Sequence, residues 1–138
     1  MKLETLEAKL KEVQNSIPKN EEVFIPIPEF KNYEVSNFGR VRSIGFYVKK
    51  AVPRNQNKIT KYFYKPCVLK PLKAGENGRW RAYRLVPKQG EWKQVSIQKL
   101  MLSSFLKIKL NKLPRIVYKI NKYDFDDNSI YNLSFFFK

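Results

Sequence analysis

Between Val35 and Lys122 the chain carries 22 Lys and Arg residues against two acids, Glu76 and Glu91, a local charge of about +20. Charge of that density cannot be folded away, because a lysine or arginine is almost never fully buried without a partner. The cations also alternate with β-type apolar residues, as in Val41-Arg42 and Tyr83-Arg84-Leu85, and do not line one stripe of a helix. The middle of the chain is therefore restricted to short strands and hairpins that keep charge at the surface. Ten of the twelve acids lie in the first 34 residues or in the cluster Asp124, Asp126 and Asp127, so this stretch has no internal neutralisation, and the whole chain stands at +16.

A net charge this large on a small domain is self-repulsive and attracts polyanions. Nucleic acid is the favoured partner, since phosphate contacts by Lys and Arg release counterions. Anionic lipid ranks below it because no basic amphipathic helix is present, so no membrane partner is expected. A face kept charged for solubility is the plain alternative.

With 138 residues, 43% of them apolar and 14% aromatic, the chain has material for one compact domain with a real core. Its apolar runs are too short to span a bilayer. Glu4, Glu7 and Glu12 among the first leucines exclude a signal peptide, so secretion by that route is not expected. One cysteine, Cys67, excludes an intrachain disulfide and a thiolate-only zinc site, and reads as a small core residue. Histidine is absent, which removes imidazole general bases, Ser-His and Cys-His nucleophile pairs and histidine-ligated metals. No cofactor and no metal are expected.

Leu3, Leu6, Leu10, Val13 and Ile17 recur at spacings of three and four, which predicts an amphipathic helix ended by Pro18. Two heptads are too short to stand alone, so the stripe docks on its own domain or on a partner. Residues 21–28 read as an extended linker or edge segment because of Pro26 and Pro28. Tyr33–Val35 and Arg40–Ser43 form a predicted hairpin around Ser36-Asn37-Phe38-Gly39. Residues 49–65 lack a clear period and read as a long loop or irregular hairpin.

Further short strands are predicted at Val68–Lys70, Trp80–Val86 and Trp92–Ile97, separated by turns at Gly75–Gly78 and Lys88–Gly90. Ser96 is a candidate N-cap for a short helix carrying Ile97, Leu100, Met101 and Phe105. Two final strands, Arg115–Ile120 and Leu133–Phe137, flank an acidic loop whose Asp124, Asp126 and Asp127 offer oxygen ligands to a hard cation or form a solvated turn. The expected fold class is α+β: a small antiparallel hairpin domain with an amino-terminal helix and one short internal helix.

The stretch from Glu22 to Ser43 resembles the nuclease-associated modular DNA-binding motif that precedes the catalytic module in many phage and intron-encoded HNH homing endonucleases. The resemblance is carried by Ile27, Phe30, Tyr33, Val35, Ser36, Gly39, Arg40, Val41, Arg42 and Ser43 in register without a gap. It continues more weakly through Leu69-Lys70-Pro71, the strand pair Trp80–Leu85 and Trp92–Ile97, and the helix from Gln98 to Leu106. The resemblance implies three segments within one domain: a docking helix over 1–20, a DNA-binding-motif-like β region over 21–87, and a degenerate, truncated HNH-like unit over 88–138.

In the family, an Asn/Asp-His pair on the first strand of a ββα unit supplies a metal ligand and a general base, and a later helix supplies another ligand. Here Tyr118 stands at the ligand position and Lys119 at the base, and Gln98 replaces a helix-initiating histidine. Asn128, Asn132 and Leu133 match the structural part of the second strand, and the sequence stops before the last helix, leaving the ββα unit incomplete. The resemblance thus implies a scaffold that has lost its nuclease chemistry, not an enzyme.

The expected DNA contacts are Arg40, Arg42, Arg79, Arg81, Arg84 and Lys99. The expected partner-docking residues are Leu3, Leu6, Leu10, Val13 and Ile17 at one end and Phe135, Phe136 and Phe137 at the other. Three readings follow: a structural subunit of a phage particle touching DNA and neighbouring proteins, which is preferred; a free DNA-binding or regulatory protein; and a metal-dependent endonuclease. The expected location is the phage virion or the host cytoplasm.

Overall fold

The computed structural model describes residues 2–52, 55–75, 80–86, 91–124 and 126–136. The sequence-predicted contacts Arg79 and Phe137, and the predicted turn residues 76–78 and 88–90, lie outside them. The fold is α+β, with two α-helices and several small antiparallel sheets among the described residues.

Helix α1 spans Leu3–Ser16 and ends where Ile17 turns extended, as a residue before proline must. Its stripe docks at home. Leu6 and Leu10 are buried in the core, Val13 packs against it, and Leu3 stays 41% exposed at the open end. The carboxylate of buried Glu7 accepts the Ser134 hydroxyl at 3.1 Å and the Phe135 amide at 2.7 Å. Two turns further on, the Gln14 amide donates to the carbonyls of Ile130 at 2.8 Å and Leu133 at 3.2 Å. The two ends of the chain therefore satisfy each other, and Phe135 joins the same core. This corrects the partner-docking expectation for Leu6, Leu10 and Phe135, whose apolar area is already removed from water within the chain.

Strands β1 (Phe24–Ile27), β2 (Phe30–Ser36) and β3 (Val41–Ser43) form consecutive antiparallel neighbours. Pro26 lies opposite Glu34 on the edge strand β1, where a residue without an amide donor does no harm. In the β2–β3 hairpin Tyr33 opposes Ser43 and Val35 opposes Val41, all four buried. Next come β4 (Phe46–Val52) and β5 (Asn55–Tyr64), which pair with each other in a sheet of their own. Residues 49–65 thus take the hairpin alternative and not the loop, with a register irregularity between Ala51 and Val52.

The chain then returns through β6 (Cys67–Val68) to close the first sheet beside β3. Cys67 is exposed on this short edge strand, which corrects its reading as a core residue. A three-stranded sheet follows: β7 (Leu72–Ala74), β8 (Trp80–Leu85) and β9 (Lys93–Ser96). Helix α2 (Ile97–Leu106) grows directly out of β9, and Ser96 occupies the N-cap position without a side-chain hydrogen bond.

Helix α2 is the centre of the core. Ile97, Leu100, Met101, Leu102 and Leu106 are buried, and the helix packs against α1, β1, β2, β8 and β9. After two-residue strands β10 (Tyr118–Lys119) and β11 (Leu133–Ser134), shorter than the sequence suggests, the described chain ends at Phe136. Between them a 3₁₀ turn at Ile130–Asn132 puts Ile130 into the core.

Because Leu10 is 0% exposed and Leu3 is 41% exposed, truncation at the two positions gives different results. Leu10→Ala lowers the unfolding free energy by about 3 kcal/mol in a urea titration. Leu3→Ala changes it by less than about 0.5 kcal/mol. Equal effects would show that the stripe is not docked as described.

Candidate nucleic-acid interface

The β2–β3 hairpin presents two of the predicted contact residues, and both are already paired. Arg40 makes a two-pronged contact with Glu22, with Nε to Oε2 at 2.7 Å and Nη2 to Oε1. The Arg40 hydrogen bond is the largest cause holding the Glu22 carboxyl below its ordinary range, and the Ser36 hydroxyl also donates to it, at 2.9 Å. Arg42 donates from Nε to Glu34 Oε1 at 2.8 Å and lies over the Phe24 ring at 3.9 Å. Glu34 is the cross-strand partner of Arg42, so the hairpin register alone brings that pair together.

The turn between the strands is tied to distant parts of the chain. Ser36 Oγ accepts the amides of Phe38 and Arg40, and the Gly39 carbonyl accepts the Tyr83 hydroxyl at 3.2 Å. Fully buried Asn37 accepts the Val23 amide at 2.7 Å and donates to the Glu21 carbonyl and the Tyr131 hydroxyl.

Beside this turn a shallow cleft of about 530 Å³ is lined by Arg40, Lys70, Arg81, Asp126 and the Gly39 backbone among others. Arg81 leaves β8 toward it, with Nη2 3.5 Å from Asp126. Arg84, three residues on and exposed, lies over the Trp92 ring at 4.9 Å. Lys70 was not among the residues expected from the sequence, although Leu69-Lys70-Pro71 carried part of the resemblance.

Lys99 is turned inward. Its Nζ donates to the Pro114 carbonyl, and burial pulls its pKa below the usual lysine value. Half-buried Lys99 thus offers less of its charge to solvent than the exposed Arg40 and Arg84. Gln98, beside it in the first turn of α2, has its Oε1 buried without a hydrogen-bond partner among the described residues.

Tyr118 and Lys119 lie side by side on β10, opposite Ser134 and Leu133. The Lys119 ammonium sits 5.1 Å over the Trp80 ring and 3.4 Å from the Asp124 carbonyl. Burial first, then the Arg81 charge, lowers its pKa from the ordinary lysine value, while Asp127, Asp124 and Asp126 oppose the shift.

The acidic loop is internally committed. Asp124 Oδ1 accepts the amides of Asp126 and Asp127, and Asp127 Oδ1 accepts the amide and hydroxyl of Ser129. No cluster of three His, Cys, Asp or Glu residues that could hold a metal ion occurs among the described residues. No helix among them is long and apolar enough to cross a membrane.

Residues 22–75 match the NUMOD4 motif, a nuclease-associated modular motif found with HNH endonucleases. The match runs from the segment before β1 through β7 and so contains the hairpin, the β4–β5 ribbon and Lys70. No curated protein and no solved structure matches the chain.

Proposed function

We propose that the chain is a DNA-binding protein that grips the phosphate backbone through its basic β surface and does not cleave it. The observation that carries this reading is the NUMOD4 match over residues 22–75, which falls on sequence that holds no acid between Glu34 and the end of the match. Arg40, Lys70 and Arg81 converge on one cleft, and Arg84 stands exposed on β8. The exposed Arg84 guanidinium, held over the Trp92 ring, presents its fork of donors to phosphate, whereas Arg40 reaches phosphate by exchanging Glu22 for it.

The non-catalytic part of the proposal rests on chemistry at β10. Tyr118 is a poor ligand for a hard divalent cation compared with a carboxylate. Lys119 would have to be neutral to accept a proton, and the three aspartates beside it oppose the lowering of its pKa by burial and by Arg81. A role inside a phage particle leaned on two apolar ends free for partners. With Leu6, Leu10 and Phe135 buried within the chain, the free DNA-binding reading is the stronger of the two.

The test is fluorescence anisotropy of a labelled duplex against salt. If three or four phosphates are neutralised, affinity falls by about 40- to 150-fold between about 50 and 200 mM salt. A flat salt response overturns DNA binding. Supercoiled plasmid incubated with the protein and Mg²⁺ or Mn²⁺ stays un-nicked. Nicking that disappears in Lys119→Ala would overturn the non-catalytic half alone.

A further inference from the structure

A second cavity, half-open and of about 590 Å³, lies between β1, the β1–β2 turn and the carboxyl end of α2. It shares no lining residue with the cleft beside Gly39. Ile25, Pro26, Pro28 and Ile108 make its walls mostly apolar. Ser103 and Ser104, 2% and 3% exposed, mark its floor, and the exposed Glu29, Lys107 and Lys109 mark its rim. The gap exists because α2 stops at Lys107, whose φ of 58° turns the chain before it can cover the prolines of β1 and the following turn.

The walls are set without a ligand. The Ile108 amide donates to the Ser103 carbonyl at 3.1 Å, and the Ser103 hydroxyl donates back to the Ile108 carbonyl at 2.7 Å. Glu29 Oε2 accepts the Leu110 amide at 3.0 Å, which ties the turn after β1 to the chain beyond α2. A pre-formed apolar pocket with a few polar groups at its edge is what a small ligand requires, and cavities of about 300–1,000 Å³ hold one.

The rim selects the head group. Neither Lys107 nor Lys109 has an ion pair among the described residues, and one oxygen of the single acid there is taken by the Leu110 amide. The carboxyl end of α2 adds partial negative charge, which Lys107 at the C-cap position offsets. At the floor, the buried Ser104 Oγ has no hydrogen-bond partner among the described residues, so an apolar chain laid against it breaks no bond within the protein.

We infer that this cavity binds a small amphipathic carboxylate, with its alkyl chain between Ile25 and Ile108 and its head group at Lys107 and Lys109. The inference does not depend on DNA binding.

The experiment titrates the full chain, with its isoleucine methyl groups labelled for NMR, with hexanoate, octanoate and decanoate. The Ile25 and Ile108 signals are expected to shift saturably, while those of Ile116 and Ile120, which do not line the cavity, stay in place. Each added pair of methylenes should tighten binding by about tenfold. Decanol should bind about three- to tenfold more weakly than decanoate, and Lys107→Gln/Lys109→Gln should remove that difference. Ser104→Val, checked for an unchanged far-ultraviolet spectrum, should bind decanoate at least as well as the wild type, and a loss there would overturn the chain-inward orientation. Binding that is indifferent to chain length, or shifts that avoid Ile25 and Ile108, would mean an anion drawn only by the net charge, and the inference falls. It falls equally if the alkyl acids move nothing while a peptide of leucine and acidic residues, or a rise in protein concentration alone, moves the two signals, since the cavity would then be a protein contact.

Discussion

Replacing Gly39 with alanine is expected to lower the unfolding free energy by about 4 kcal/mol, enough to put a domain of ordinary stability near its limit. The residue has φ of +84°, a conformation that costs an L side chain about 1–2 kcal/mol. A Cβ there would also overlap the Asn128 carbonyl oxygen and stand 2.9 Å from its carbon. Backbone must then move on one side or the other. The β2–β3 turn cannot yield cheaply, because the Gly39 amide closes it onto the Ser36 carbonyl at 3.1 Å and the Gly39 carbonyl holds the Tyr83 hydroxyl.

The Asn128 side is tied as well, since the Ile130 amide two residues on donates to the Asn37 carbonyl at 2.9 Å. Gly45→Ala is the control. Its φ of +89° carries the same backbone penalty, but the nearest atoms, 3.0 Å and 3.1 Å away, belong to the side chains of Phe63 and Pro66. Side chains can shift, so a loss of about 1–2 kcal/mol is expected there. Urea unfolding of both variants measures the difference. Equal losses would mean that the turn and the Asn128 loop are not in contact.

These positions show what local sequence can reveal. The α1 stripe, its stop at Pro18, the edge placement of the Pro26 segment and the hairpin around Asn37 and Gly39 are all consequences of neighbours within a few residues, and all are present. The Arg42–Glu34 pair was within reach too, because a hairpin turning at Ser36–Gly39 puts those residues opposite each other. Arg40 and Glu22 are 18 positions apart and belong to no common hairpin, so their pairing was not readable. Lys99 looked like another surface cation because nothing nearby in sequence announces the Pro114 carbonyl that holds it.

The ribbon was legible only as one of two alternatives, a long loop or an irregular hairpin, and the second is the one present. Residues 49–65 carry no clear alternation of apolar and polar types, and without one a hairpin cannot be told from a loop. Strand β7 was hidden between Pro71 and Gly75, which read as turn punctuation, while its partner β8 lies beyond the next loop. Cys67 was misjudged by composition. The residue type is usually buried, but a two-residue strand at the sheet's edge gives it nothing to be buried against.

Asn37→Ala is expected to cost about 4 kcal/mol, although the sequence offers Asn37 only as a turn former. Its amide is fully buried and makes three hydrogen bonds: from the Val23 amide at 2.7 Å, to the Glu21 carbonyl at 2.8 Å and to the Tyr131 hydroxyl at 2.9 Å. Truncation leaves those groups short of a partner, at about 1–3 kcal/mol for each one that water cannot reach. Exposed Glu21 and half-buried Tyr131, which also donates to the Ile17 carbonyl, recover part of the loss, so the total stays below the sum. Asn37→Asp separates the contributions. It keeps the acceptor for Val23 but sets a carboxylate against the Glu21 carbonyl, so at neutral pH it should be at least as damaging as alanine. At a pH below the carboxylate range a protonated aspartic acid can donate once, and part of the stability should return. Urea midpoints for the two variants at both pH values test this. An Asn37→Asp variant as stable as the wild type at neutral pH would show that the amide does not join the segment before β1 to the carboxyl-terminal turn. That junction is what holds Gly39 against Asn128 and Arg81 near Asp126, so losing it should also disperse the cations of the cleft.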